Sequence, residues 1–113
     1  MNHVFIGLGS NIENPLDRLS EAYRHLRAHA DLSATGLSKV YLSSPQGPQD
    51  QPDFYNAVAG FTASLSSHEL LTALLTIETA MGRQRLRHWG ERSIDLDLLL
   101  YGDEVIATDA LIL

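Results

Sequence analysis

The chain of 113 residues has no cysteine, few basic residues and no long apolar run. The absence of cysteine excludes disulfides and thiolate metal sites. No apolar segment is long enough to span a membrane, and the N-terminus lacks the basic start and apolar run of a signal peptide. We therefore expect a cytoplasmic protein with no membrane partner. The length suits one domain, comprising residues 1–113.

Basic residues are scarce, but half of them are clustered. Eight Lys and Arg residues stand against 14 Asp and Glu residues, which gives a formal net charge of −6. An acidic surface argues against nucleic acid as a partner. Four of the eight cations nevertheless fall within ten residues, at Arg83, Arg85, Arg87 and Arg92. One local basic stretch in an acidic protein is typical of a confined anion site, such as a site for nucleotide phosphates.

Hydrophobic periodicity divides most of the chain into six elements. Period-two and helical spacing predict strands at 4–8, 35–42, 55–65 and 94–100, and helices at 15–29 and 66–82. Asn14 before Pro15 predicts a helix N-cap, and Ser66 with Glu69 predicts a capping box. A short return strand is expected at 105–106. This order predicts an α+β, ferredoxin-like βαββαβ fold, whose antiparallel sheet carries both helices on one face.

A long loop precedes the third predicted strand. Three prolines and a glycine within residues 43–53 exclude regular structure there, and a long loop in so small a domain is often functional. Strand alternation then places Phe54 and Asn56 on the same face, opposite Tyr55. An aromatic ring beside an amide can stack on a flat heterocycle and hydrogen-bond to it. The alternative is an ordinary strand start in which Phe54 fills the core.

Two carboxylates interrupt the last apolar strand. Asp95 and Asp97 are two residues apart, so both point to one face, with Cβ atoms roughly 7 Å apart. Asp is depleted in strands, and hard oxygen ligands on a rigid strand suit Mg²⁺ held together with substrate phosphates. The alternative is a solvated strand face that happens to be acidic.

The basic stretch, which includes Trp89, leads directly into this acidic pair. Arginine binds phosphate through two parallel hydrogen bonds, so cations beside a magnesium site indicate phosphoryl-type transfer. The alternative is a charged loop whose Trp89 covers the edge of the core. Gly7-x-Gly9-Ser10-Asn11 lacks the Lys-Ser/Thr of a phosphate-binding loop, and we interpret it as a turn and helix cap.

Four segments agree in order and spacing with one family. They are Gly7–Asn11, Gly47–Asn56, Ile77-Glu78 with Gly82-Arg83-Gln84-Arg85, and Trp89-Gly90-Glu91-Arg92-Ser93-Ile94-Asp95-Leu96-Asp97-Leu98-Leu99. The chain from residue 4 onward thereby resembles the 6-hydroxymethyl-7,8-dihydropterin pyrophosphokinases, and the last segment resembles their defining motif. The resemblance implies transfer of pyrophosphate from ATP to the pterin alcohol in folate biosynthesis, which yields AMP and the pterin pyrophosphate.

The resemblance also implies roles for individual residues. Asp95 and Asp97 would bind two Mg²⁺ ions that bridge the phosphates of ATP, and the catalytic set would also include Arg83 and Arg92. ATP would further contact Glu78, Arg85, Trp89 and Leu98. The pterin would contact Ser43, Gln46, Phe54 and Asn56. The pterin hydroxymethyl oxygen would attack the β-phosphorus of ATP in line, with positioning and charge neutralisation supplying most of the rate.

The sequence departs from the family pattern mainly at its end. Family members continue beyond Leu113 with a Pro-His segment, a further Arg and a pterin-closing aromatic, so we expect a domain that is C-terminally short. Smaller departures are Leu75, Ala110 and Ile112, where the family often has polar nucleotide contacts. One alternative is an inactive truncated paralogue or fragment that binds Mg-nucleotide or pterin. Another is an RNA-binding module with the same strand-helix order. A monomer is expected, with an oligomer left open.

Overall fold

A computed structural model describes residues 2–45, 50–82 and 93–102 and the backbone of residues 104–105. These residues form six strands and two helices. In chain order they are β1 (Asn2–Ser10), α1 (Pro15–Ala28), β2 (Leu32–Leu37), β3 (Tyr41–Ser43), β4 (Phe54–Ala63), α2 (Ser67–Ala80), β5 (Asp95–Tyr101) and β6 (Glu104–Val105). Neither helix in this described part of the chain is long and apolar enough to cross a membrane.

The strands form one antiparallel sheet in the order β2-β4-β1-β5-β6, with β3 also paired to β4. The order confirms the predicted α+β, ferredoxin-like arrangement, because β4 lies between β2 and β1 and β5 flanks β1. Alternate residues of β1 (Val4, Ile6 and Leu8) are buried in a core that includes Leu26 of α1 and Leu74 of α2. Both helices therefore cover one face of the sheet, and the odd-numbered residues of β1 lie on the other face.

The single strand predicted at 35–42 is wrong, because the structure has two shorter strands there. The register of β2 against β4 shifts between Ala34 and Gly36. Ser38 then replaces part of the backbone ladder, since its Oγ accepts a hydrogen bond from the Val58 amide at 2.8 Å and donates to the Lys39 carbonyl at 2.9 Å. A hydroxyl that competes with backbone groups in this way interrupts a strand.

The second helix begins and ends as predicted. The Ser66 hydroxyl accepts a hydrogen bond from the Glu69 amide, and the Glu69 carboxylate accepts one from the Ser66 amide at 2.8 Å. The latter bond, together with the Ser66 side chain, holds the pKa of Glu69 below its usual value of 4.5. Beyond the last turn, Gly82 has a φ of 71°, which glycine adopts without a steric penalty.

The first helix is capped differently from the prediction. Asn14 is the N-cap residue, but its side chain makes no capping hydrogen bond. Both Asn14 and the preceding Glu13 have a φ of 60°, whereas a side chain that caps a helix starts from an extended backbone. The Asn14 carbonyl still accepts the first helical bond, from the Arg18 amide at 3.1 Å.

Candidate functional site

Two rows of residues cross the sheet face that the helices leave uncovered. In the register of β4, β1 and β5, one row is Asn56–Gly9–Asp95 and the other is Val58–Gly7–Asp97. Residues directly opposite each other in antiparallel strands point to the same face. The central position of each row is glycine. No side chain of β1 therefore stands between Asn56 and Asp95, whereas the Leu99 side chain packs over Gly7, where a Cβ atom would lie 3.3 Å from its Cδ1.

Gly7 and Gly9 form the floor between β4 and β5, which we call the glycine floor, and the spacing of the strands fixes its width. Neighbouring strands lie about 4.8 Å apart, so the Cα atoms of Asn56 and Asp95 are separated by roughly 10 Å. A Cβ atom placed on Gly9 would lie 3.4 Å from Oδ1 of Asn56 and 3.9 Å from Cδ1 of Phe54. The amide oxygen of Asn56 is therefore directed over the floor, toward the strand that carries the carboxylates.

Asp95 and Asp97 are half-buried on β5, with the buried Leu96 between them. Alternation along the strand therefore puts both carboxylates on one face, as predicted, and that face is the one the helices leave uncovered. In the described part of the chain no group of three or more His, Cys, Asp or Glu side chains could hold a metal ion. The pair instead suits a cation that takes one or two protein carboxylates and completes its shell with phosphate oxygens and water, as Mg²⁺ does.

The amide of Asn56 is oriented by its neighbours on β3 and β4. Its Nδ2 donates to Oγ of Ser43 at 2.9 Å, and it also lies 3.1 Å from the Phe54 carbonyl and 3.3 Å from the Tyr41 carbonyl. Because these acceptors engage the nitrogen, the Oδ1 acceptor is left facing the glycine floor. Ser43 thus fixes the orientation of Asn56 and also lines the cleft.

The predicted residues on β3, β4 and β5 share one cleft. Its volume is about 330 Å³, within the size range of small-ligand sites. Its walls are lined by the predicted Ser43, Phe54, Asn56, Asp95 and Asp97, by the floor residues Gly7 and Gly9, and by Leu8, Tyr41, Ser44, Ala57, Val58 and Leu99. One end offers an aromatic ring with hydrogen-bonding groups, and the other end offers two carboxylates.

Glu78 and Leu98 lie on the other side of the sheet. The Leu98 side chain is 1% exposed and belongs to the core, so its backbone is the part that a nucleotide could reach. Glu78 is 4% exposed, and its Oε2 accepts a hydrogen bond from the Leu96 amide at 2.7 Å. This carboxylate thus holds the backbone between the two aspartates. The predicted contacts of both residues with ATP stay predictions.

Several predicted residues lie outside the described part of the chain, namely Gln46, Arg83, Arg85, Trp89 and Arg92. Their roles likewise stay predictions.

Sequence reasoning missed two residues next to the floor, Ser10 and Asn11, which it interpreted as a turn and cap. Ser10 is wholly buried, and its Oγ donates to the Ser93 carbonyl at 2.6 Å. Asn11 is 3% exposed, and its Nδ2 donates to Oε1 of Gln51 at 3.0 Å and to the Pro52 carbonyl at 2.9 Å. The period-two pattern of β1 extends to Ser10 and could have predicted that its side chain is buried. A buried hydroxyl requires a hydrogen-bond partner.

Comparison with known proteins finds one matching family and several similar sequences. Residues 5–113 match the family model described as 7,8-dihydro-6-hydroxymethylpterin-pyrophosphokinase. Three similar proteins are each named 2-amino-4-hydroxy-6-hydroxymethyldihydropteridine pyrophosphokinase. The protein from Haemophilus influenzae is 50% identical over 111 residues, which cover 96% of this chain and 68% of that relative. The one from Bacillus subtilis is 40% identical, with coverages of 99% and 68%, and the one from Pseudomonas aeruginosa is 37% identical, with 94% and 65%. The chain thus spans about two thirds of the length of these relatives.

Proposed function

Because the chain belongs to the 7,8-dihydro-6-hydroxymethylpterin-pyrophosphokinase family, we propose that it transfers pyrophosphate from ATP to 6-hydroxymethyl-7,8-dihydropterin in folate biosynthesis. The products are AMP and the pterin pyrophosphate. The observation that carries the proposal is the cleft on the uncovered sheet face, with an amide and an aromatic ring at one end and two carboxylates at the other. Residues 1–113 act as one pyrophosphokinase domain.

The donor set at the carboxylate end fits Mg²⁺. Asp95 and Asp97 offer hard oxygen atoms on a rigid strand, and Gly9 opposite Asp95 adds no side chain of its own to the space beside that carboxylate. We assign two ions to this pair, with ATP oxygens completing their shells. When bound, Mg²⁺ neutralises charge on the transferring phosphates. Asp95 and Asp97 would hold that charge on β5, two strands away from Asn56 on β4.

The pterin occupies the other end of the cleft. A pterin ring carries N–H donors on its amide-like edge, and the Asn56 Oδ1, held by the bond from Nδ2 to Ser43, accepts from that edge. Phe54 is half-buried at the cleft wall, where its ring stacks on the heterocycle. Gln46 adds a further contact.

With the pterin at one end and ATP at the other, the hydroxymethyl group points along the floor toward the phosphates. Its oxygen attacks the β-phosphorus of ATP, so that a new O–P bond forms while the bond to the AMP oxygen breaks. The hydroxyl proton passes to solvent, and AMP leaves. Arg83 and Arg92 bind phosphate oxygens, and Arg85, Trp89, Glu78 and Leu98 complete the nucleotide site. Most of the rate enhancement comes from holding the two reactants in line and from charge neutralisation.

The proposal is tested by mixing the chain with MgATP and 6-hydroxymethyl-7,8-dihydropterin and following AMP release. We expect AMP only when the pterin is present. Replacing Asp97 with alanine should abolish calorimetric binding of MgATP while leaving the circular dichroism spectrum unchanged. Asp17→Ala is the matched control, because Asp17 is an exposed residue in the first turn of α1.

One outcome would contradict the metal assignment, and another would contradict the transfer reaction. If the folded Asp97→Ala variant bound MgATP as tightly as the parent chain, the metal assignment would be wrong. A parent chain that bound both substrates but released no AMP would contradict the proposed transfer itself.

A further inference from the structure

Ser10 ties the end of β1 to the entry of the strand that carries the carboxylates. Its hydroxyl donates to the Ser93 carbonyl at 2.6 Å, and both residues are at most 1% exposed. Ser93 comes two residues before Asp95, the first residue of β5. The bond therefore fixes the point from which the chain enters the metal-binding strand.

Asn11 makes the equivalent connection on the other side of β1. Its Nδ2 donates to Oε1 of Gln51 and to the Pro52 carbonyl, both within 3.0 Å. Gln51 is itself buried, and Pro52 comes two residues before Phe54, the first residue of β4. This contact therefore fixes the entry of the strand that carries the aromatic and amide groups.

These two contacts matter because of where they lie in the sheet. The site residues are the first residues of β4 and β5, and both strands start at the end of the sheet where β1 finishes. The ladder pairs Asp95 with Gly9 and Tyr55 with Ser10, and side-chain bonds from Ser10 and Asn11 hold the segments just before them. Ser10 at the end of β1 and Asn11 directly after it thus fix the segments that lead into the two strands of the cleft.

We propose that Ser10 and Asn11 are positioning residues, of which Ser10 sets the phosphate end of the cleft and Asn11 sets the pterin end. The proposal rests on the function proposed above. Neither residue lines the cleft as described, so each acts through the strand entry that it holds. Because the two contacts run to different segments, breaking one should disturb one substrate and spare the other.

The test compares Ser10→Ala and Asn11→Ala with Leu32→Val. Leu32 is 5% exposed and pairs with Ala63 at the opposite end of the sheet, so this control perturbs the core without touching either strand entry. Calorimetry measures the affinity for the pterin and, separately, for the magnesium complex of α,β-methylene ATP, which cannot be cleaved at the reacting bond. Steady-state assays give kcat and the KM of each substrate.

We expect Ser10→Ala to weaken nucleotide binding about 10-fold or more and to leave pterin binding nearly unchanged, with the reverse for Asn11→Ala. The KM values should follow the same pattern, and Leu32→Val should shift only the unfolding midpoint. If an alanine variant does not fold, Ser10→Cys and Gln51→Met weaken the same two contacts at nearly constant volume. Variants that lose both substrates equally, or that behave like Leu32→Val, would overturn the proposal.

Amide hydrogen exchange of the ligand-free chain separates this inference from the proposed function. We expect Ser10→Ala to speed exchange at residues 94–98 and Asn11→Ala to speed it at residues 53–57, each without the other. That pattern would support the two separate contacts even if the parent chain bound neither substrate, a result that would refute the proposed function. Uniformly faster exchange throughout the sheet in both variants would overturn the positioning roles.

Discussion

Replacing Gly9 with alanine should separate the stability of the sheet from the binding capacity of its cleft. Among the described glycines, Gly9 is not one of those with a positive φ, so alanine fits its backbone. Glycine inside a strand costs about 0.5–1 kcal/mol relative to alanine because it loses more conformational freedom on folding. The free energy of unfolding should therefore rise by up to about 1 kcal/mol in Gly9→Ala.

Binding should change in the opposite direction. The new methyl group would lie 3.4 Å from Oδ1 of Asn56 and 3.9 Å from the Phe54 ring, which are ordinary contact distances. It would therefore occupy the floor beside the amide oxygen that we propose as the pterin acceptor. One methyl group in a closely packed site changes the binding free energy by about 1–3 kcal/mol, so we expect pterin affinity to fall about 5-fold or more.

The matched control is Gly36→Ala on β2. A Cβ atom at Gly36 would have no neighbour within 4 Å, so this change should raise stability similarly and leave the cleft untouched. Urea unfolding and calorimetric titration with the pterin measure the two effects. If Gly9→Ala bound the pterin as tightly as Gly36→Ala, the assignment of the glycine floor would be refuted. A loss of stability confined to Gly9→Ala would refute the packing argument.

Two further predictions concern carboxylates outside the cleft. Glu78→Gln keeps an acceptor for the Leu96 amide, whereas Glu78→Leu removes it. Glu78→Leu should therefore lower the free energy of unfolding in urea by about 1–3 kcal/mol more than Glu78→Gln, and its Leu96 amide should exchange faster. Equal stability of the two variants would argue against this bond. For Glu69, the lowered pKa means that its stabilising effect is complete above the usual value of 4.5 and is lost as the pH falls through the lower folded value. The stability advantage of the parent chain over Glu69→Gln should therefore shrink in acid, and an advantage independent of pH would contradict the capping argument.

Local patterns in the sequence were sufficient for most of the fold and for part of the site. Alternation along one strand put Asp95 and Asp97 on a common face, because the side-chain period of a strand is fixed at two residues. The same rule placed Phe54 with Asn56. The capping box at Ser66 and the left-handed Gly82 depend on residues within one helical turn, so nearest neighbours decide them.

The features that were wrong or missed depend on contacts between distant residues. The bond from Glu78 to Leu96 spans 18 residues, that from Asn11 to Gln51 spans 40, and that from Ser10 to Ser93 spans 83. No local pattern specifies such pairs, since they depend on which strands become neighbours. The strand predicted at 35–42 failed for a similar reason, because the hydroxyl of Ser38 competes for the Val58 amide on a different strand.

The row from Asn56 across Gly9 to Asp95 also sets the distance between the two ends of the cleft. Strands in a hydrogen-bonded sheet are separated by whole multiples of about 4.8 Å, so distances across the sheet change only in steps of one strand spacing. Point substitutions can alter the chemical groups at either end of the row, but they cannot change the spacing between β4 and β5. The separation between Asn56 and Asp95 is therefore set by the strand order and not by the side chains at either end.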